Sequence, residues 1–189
     1  MDSKIVWNDA AKSGLVLGGI SVAYMVLNIL LGKIQGGSAA GILVNVGGVI
    51  LWLAKFILCI KLFKLFMQKF AARNPEVSNS GTFRFGLATA LLSALVYSAF
   101  YLAWVSFIQP DMLTASIDMV RESYTSIFTA EQMESLDELV PRLPALTFFT
   151  NLIYCFLFGL VLSAIFSRNI PSRNPFGAPA AKDDDDDDI

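Results

Sequence analysis

Residues 49–70 read VILWLAKFILCIKLFKLFMQKF. An apolar run is interrupted by Lys55 and then dissolves among Lys61, Lys64 and Lys69. The fold turns on whether this is a broken span or the end of a complete one. Residues 42–54 alone are too short to cross a hydrocarbon core of about 30 Å, which needs about 20 apolar residues. Carried through Lys55 to residue 62 or 63, the run is long enough. Lys55 then lies roughly 9 Å of helix rise before Lys61, and a lysine stem covers part of that distance toward the headgroups. No acidic residue stands within helical reach of Lys55, so an ion pair inside this helix is excluded.

Three further runs, 13–32, 85–110 and 143–167, carry no charge at all. Each meets the length of a span. The composition agrees: 55% of the 189 residues are hydrophobic and 16% charged, where a soluble domain carries about a quarter charged. Mean hydropathy is +0.59. The chain therefore reads as all-α, an integral membrane four-helix bundle with spans at about 13–31, 42–63, 83–108 and 145–166. Residues 1–12 form an N-terminal segment, 13–169 the four-span domain and 170–189 an acidic tail. The N-terminus lacks the positive region of a cleaved signal, since Asp2 and Asp9 offset Lys4 and Lys12.

Basic residues give the direction. Lys61, Lys64, Lys69, Arg73 and Arg84 lie between spans two and three, Lys4 and Lys12 before span one, and Arg168, Arg173 and Lys182 after span four. The opposite side holds Lys33, Arg121 and Arg142. The positive-inside rule places both termini and the middle loop in the cytoplasm. The lysines of the opening stretch thus mark the cytoplasmic end of span two. A role for Lys55 in a pathway across the membrane is the alternative.

Segment 111–142 separates spans three and four on the outer side. Leu113, Ile117, Val120, Tyr124 and Ile127 recur at helical spacing. Pro110 suits a first helical position, and Thr129 with Gln132 fits a capping box for a second helix, which Pro141 and Pro144 end. An outer amphipathic hairpin is expected, either capping the bundle or receiving a basic partner on Asp118, Glu122, Glu131, Glu134, Asp137 and Glu138. Asp183–Asp188 at the C-terminus self-repel and predict a disordered, solvated tail.

No histidine is present, which excludes imidazole as a base, a proton shuttle or a metal ligand. The two cysteines, Cys59 and Cys155, lie in apolar runs and read as buried hydrophobes rather than a disulfide framework. No phosphate loop or metal-ligand cluster occurs, so neither enzymatic activity nor a cofactor is expected. One constellation carries a sharper reading. Asn28, Asn45, Asn151, Tyr24, Tyr101, Tyr154 and Gln109 fall at the outer ends of the spans. They are either interhelical hydrogen bonds and an aromatic belt or a small outward polar cavity. Gly14 with Gly18, and Gly159 with Ser163, are small-residue pairs of the kind that let helices approach.

The order of features resembles a known family. Trp7, a basic loop leading into Phe83-x-Phe85-Gly86, a span ending Ile108-Gln109-Pro110, an outer helix opening Glu131-Gln132 and a last span ending Ile165-Phe166-Ser167-Arg168 are similar to domain-of-unknown-function family 4199, small membrane proteins typical of Bacteroidota. The resemblance covers about residues 7–169. It implies four spans in a bacterial inner membrane and brings no catalytic residues. The expected function is non-enzymatic: an accessory or scaffold subunit binding a membrane protein partner or a second copy, in contact with membrane lipids and without nucleic acid. The alternative is a small lipid-handling protein or transporter using the outer polar cluster. Ion-driven transport is disfavoured because the spans lack an acidic residue.

Overall fold

Prolines punctuate this chain. Pro75, Pro110 and Pro141 separate long stretches of Leu, Ala, Phe and Met, and Pro144 falls where a helix begins. Helices fill the intervals, because those residues lose little freedom in a helix and no internal proline removes an amide. The structure, a computed structural model, describes residues 3–33, 38–124, 129, 131 and 138–170. Among them the helices are α1 Ser3–Gly32, α2 Ser38–Arg73, α3 Asn79–Ala103, α4 Asp111–Tyr124 and α5 Leu143–Asn169. There is no strand among the described residues. The stretches Ile5–Gly32, Val44–Arg73, Asn79–Ile108 and Val140–Asn169 are each long and apolar enough to cross a membrane.

The helices run past the apolar runs that announce them. α1 begins ten residues before the first charge-free run, and α2 continues through Lys61, Lys64 and Lys69 to Arg73. Lysine, arginine and alanine are good helix formers, so the end of an apolar run need not end a helix. What stops α2 is Pro75. The Asn74 amide and side chain both donate to the Phe70 carbonyl, at 3.1 and 3.0 Å, closing the last turn. Ser78 then caps α3 from an extended backbone, its Oγ accepting from the Gly81 amide at 3.4 Å.

At its far end α3 widens into a π-helical turn, Trp104–Ile108, which the sequence reading treats as plain helix. The Gln109 amide reaches back to the Trp104 carbonyl at 3.0 Å. Trp104 Nε1 donates to Gln109 Oε1 at 3.1 Å, and Pro110 ends the turn. α4 follows as the first arm of the expected hairpin. Residues 132–137 of the second arm, and with them Gln132, Glu134 and Asp137, lie outside the described residues, as does 171–189 of the tail. A 3₁₀ turn, Val140–Arg142, leads into α5 with Pro144 in its first turn, where no amide partner is needed.

α3 is the middle of the bundle, packed closely on α1 and on α5, while α2 sits more loosely across their front. Small residues set this order. A Cβ on Gly14 would stand 2.8 Å from Leu92 Cβ, and one on Gly18 2.7 Å from Val96 Cβ, so the Gly14–Gly18 pair seats α1 on α3. On the opposite side of α3, Gly86 faces Ser163, and Ala90 faces Gly159. Ala10, Phe63, Met67, Phe70, Phe85 and Ile170 form a buried core at one end, here called the basal end, where Phe70 and Phe85 stack at 4.1 Å. The outward faces stay apolar: Val49, Leu53 and Ile57 on α2, and Leu146, Phe149, Ile153 and Leu157 on α5, are exposed.

Candidate functional site

On α2, Trp52, Phe56, Cys59 and Phe63 follow one another at intervals of three and four, with Lys55 beside Phe56, and share a face. That face looks into the bundle. It closes a cavity of about 170 Å³, to which α1 contributes Ser21, α3 contributes Ser93, Ala94 and Tyr97, and α5 contributes Tyr154, Cys155 and Gly159. All four long helices therefore wall it. Its space exists because Ala90, Ala94 and Gly159 have short or absent side chains where α2 presents large rings. Phe56 stacks on Trp52 and tilts against Phe158, each at 5.5 Å between centroids. Trp52, Phe158 and Tyr154 are all exposed, so on the α2 and α5 sides the cavity is walled by residues that also reach the molecular surface.

The Lys55 ammonium lies over the ring of Tyr24, 5.6 Å from its centroid, a geometry in which the ring quadrupole attracts the cation. Ala10 and Phe70 share the basal core. Tyr24 lies 14 residues beyond Ala10, about 21 Å up α1, and Lys55 lies 15 residues before Phe70, about 22 Å up α2. The two residues are level. The ammonium therefore reaches sideways to α1 rather than down the helix toward Lys61, which is how the sequence reading drew it. No carboxylate stands within ion-pairing distance of Lys55 among the described residues. The cavity thus holds one positive charge, hydroxyls from Ser21, Ser93, Tyr97 and Tyr154, two free thiols and an apolar wall. No cluster of three potential metal ligands occurs among the described residues.

The seven polar residues expected at the α4 end do not form one group. Tyr24, Asn28 and Asn45 share a shallow groove of about 430 Å³ between α1 and α2. Asn28 lies against the α2 backbone there, its Oδ1 3.6 Å from where a Cβ on Gly48 would stand. Tyr154 belongs to the central cavity instead. Tyr101 packs on Tyr97 at 6.4 Å, Gln109 is committed to Trp104, and Asn151, half-buried on α5, lines neither space. Trp52 lines both groove and cavity, and Tyr24 joins the groove to Lys55. The two spaces are neighbours that share Trp52 in their walls. Of the acidic residues considered for a partner, Asp118 pairs with Arg121 at 3.6 Å, and Glu122, Glu131 and Glu138 are exposed.

Sequence reasoning singled out Lys55 but not its companions Trp52, Cys59, Tyr97 and Cys155. The signal available was the 52/55/59 spacing, which puts the lysine on the same face as a thiol and a large ring.

Residues 12–168 match the model of a family described as protein of unknown function, DUF4199. The chain belongs to that family. No curated protein and no solved structure matches it.

Proposed function

We propose that this family member is a multi-pass membrane protein that binds the anionic end of an apolar amphiphile at Lys55 and handles it without covalent chemistry. Four long helices with exposed apolar faces support the insertion. The clustering of Lys61, Lys64, Lys69 and Arg73 at the basal end supports a bacterial inner-membrane orientation with that end in the cytoplasm. The carrying observation is the lone Lys55, held in a cavity walled by four helices without a carboxylate. An unpaired charge at such depth costs several kcal/mol, and an anionic ligand entering between α2 and α5 removes that penalty. The aromatic wall suits the ligand's hydrocarbon part. A cavity of about 170 Å³ is slightly larger than one that takes benzene, so it holds the head and first carbons while the rest lies among the lipids.

The thiols give a direct test. Cys59 and Cys155 line the cavity, so a seated ligand shields them. Oleate added to the reconstituted chain is expected to slow maleimide alkylation of both by at least about fivefold, while oleyl alcohol leaves the rate unchanged. Equal protection by the alcohol would leave Lys55 without a role. The groove gives a second outcome. Asn28→Leu with Asn45→Leu is expected to weaken oleate protection by about threefold, of the order of one hydrogen bond, and Asn151→Leu to leave it unchanged.

A second reading is an accessory subunit engaging a membrane protein through α4. It is favoured by exposed Met112, Met119 and Val120 beside Asp118, a face suited to a basic amphipathic segment. Crosslinking from position 119 in cells would return a stoichiometric protein adduct on this reading and only lipid on the first.

A further inference from the structure

At the basal end α1 and α2 enclose a second space, of about 210 Å³, unconnected with the Lys55 cavity in its lining. α1 presents Asp9, Lys12, Ser13 and Val16 to it, and α2 presents Phe66, Lys69, Phe70 and Arg73. Each set is an adjacent pair, 12/13 or 69/70, with one residue three positions away on either side, so each is one stripe of its helix. The helices are antiparallel, and the stripes therefore match level by level. Asp9 on α1 stands level with Lys69 and Arg73 on α2 at the outer part. Lys12 and Phe66 follow at one level, and Val16 lies about one turn deeper than Lys12, toward the apolar middle of the bundle. Phe70 and Phe85, at 2% and 1% exposure, stack to form a rigid floor. Three cations face one carboxylate, leaving a surplus of two positive charges.

We infer that this pocket binds the phosphate-bearing headgroup of an anionic phospholipid. A phosphate oxyanion would be shared by a lipid and by free phosphate, but the graded lining favours the lipid. Lys69 and Arg73 stand at the outer part with Lys12 just inside them, and Phe66 and then Val16 continue the wall where glycerol and the first acyl carbons follow. Exposed cations at this level sit where headgroup phosphates lie, and each contributes favourably to anionic lipid attraction. Basic pockets between helices at a membrane face are suited to such headgroups. The carboxylate of Asp9 sets a limit, since it repels a second anion and keeps the site to one headgroup.

The test is native mass spectrometry of the full chain in mild detergent, titrated with phosphatidylglycerol, with phosphatidylcholine of the same chains, and with inorganic phosphate. It is run in a Lys55→Met background, which removes the central cavity from the readout. This proposal and the one for Lys55 therefore succeed or fail separately. The expected result is retention of phosphatidylglycerol at least about tenfold above phosphatidylcholine. Lys69→Gln with Arg73→Gln is expected to weaken it by about thirtyfold, from two lost charges. The exchange Lys69→Arg with Arg73→Lys, which keeps the charge, is expected to retain it. Equal retention of phosphatidylcholine would overturn the proposal. So would displacement of the lipid by inorganic phosphate at about millimolar concentration, and so would indifference to the double glutamine variant.

Discussion

Lys55→Met is expected to make the bundle more stable and at the same time unable to hold an anionic amphiphile. The two effects have one cause. A lysine near the middle of a span is unfavourable by about 3 kcal/mol, and its position over Tyr24 returns about 1 kcal/mol as a cation–π contact. Methionine has similar length, no charge and an adaptable shape, so the unliganded protein should gain about 2 kcal/mol. Ligand binding should weaken by about tenfold to a hundredfold, the worth of a charge-assisted hydrogen bond in a dry site. Thermal unfolding in detergent, with and without oleate, reads both. Wild type should gain stability from oleate, and the variant should start higher and gain nothing. A Lys55→Met protein that is destabilised, or that still responds to oleate, is inconsistent with a ligand-directed lysine. A charge retained against its own stability is the pattern of a site rather than of packing.

The second large effect is at the seam between α3 and α5. A Cβ on Gly159 would stand 2.4 Å from Ala90 Cβ, far inside van der Waals contact, and the neighbour is too short to swing away. Gly159→Ala should therefore force the two helices apart and destabilise by about 2 kcal/mol, with Gly159→Leu at about 3 kcal/mol or more. Ala90→Gly removes the atom that is struck. Combined with Gly159→Ala it should restore much of the loss, giving a coupling between the two sites of at least about 1 kcal/mol. Gly47→Ala is the control. Nothing lies within 4 Å of its added Cβ, and alanine is the better helix former by about 1 kcal/mol. That variant should be neutral or slightly stabilised. Additive losses at 90 and 159 would mean that this seam is not closed by these residues. The same seam walls the Lys55 cavity through Gly159 and Ala90, so variants that open it should also loosen ligand binding.

The four long helices were legible because each is announced by an uninterrupted apolar run. Their ends were not. α1 starting at Ser3 and α2 reaching Arg73 depend on charged residues that favour helix as much as apolar ones do. The π turn at Trp104–Ile108 arises where helix meets Pro110 and Trp104 finds Gln109, a contact no local periodicity encodes. The candidate site was legible only in part, in height as well as in angle. Counting from the span ends places Asn28, Asn45 and Asn151 at one depth, yet the packing of Gly14 on Leu92 and of Gly86 on Ser163 sets Asn151 about two turns below Asn28, and only the first two share a groove. Lys55 shows the same limit. Its lack of an acidic partner within α2 could be read from the sequence. That its ammonium would cross to Tyr24, among residues of all four helices, depends on the register between α1 and α2, which is set by the basal core around Phe70 and Phe85.

An anionic amphiphile held at Lys55 should survive gentle extraction of the protein. The most direct test is native mass spectrometry of the wild-type chain and of Lys55→Met, each released from its own membranes in mild detergent. A discrete added mass is expected on the wild type, identified on dissociation as a carboxylate- or phosphate-bearing lipid, and is expected to be lost from Lys55→Met. The same adduct retained on both proteins, or a stoichiometric protein partner in its place, would contradict binding at Lys55.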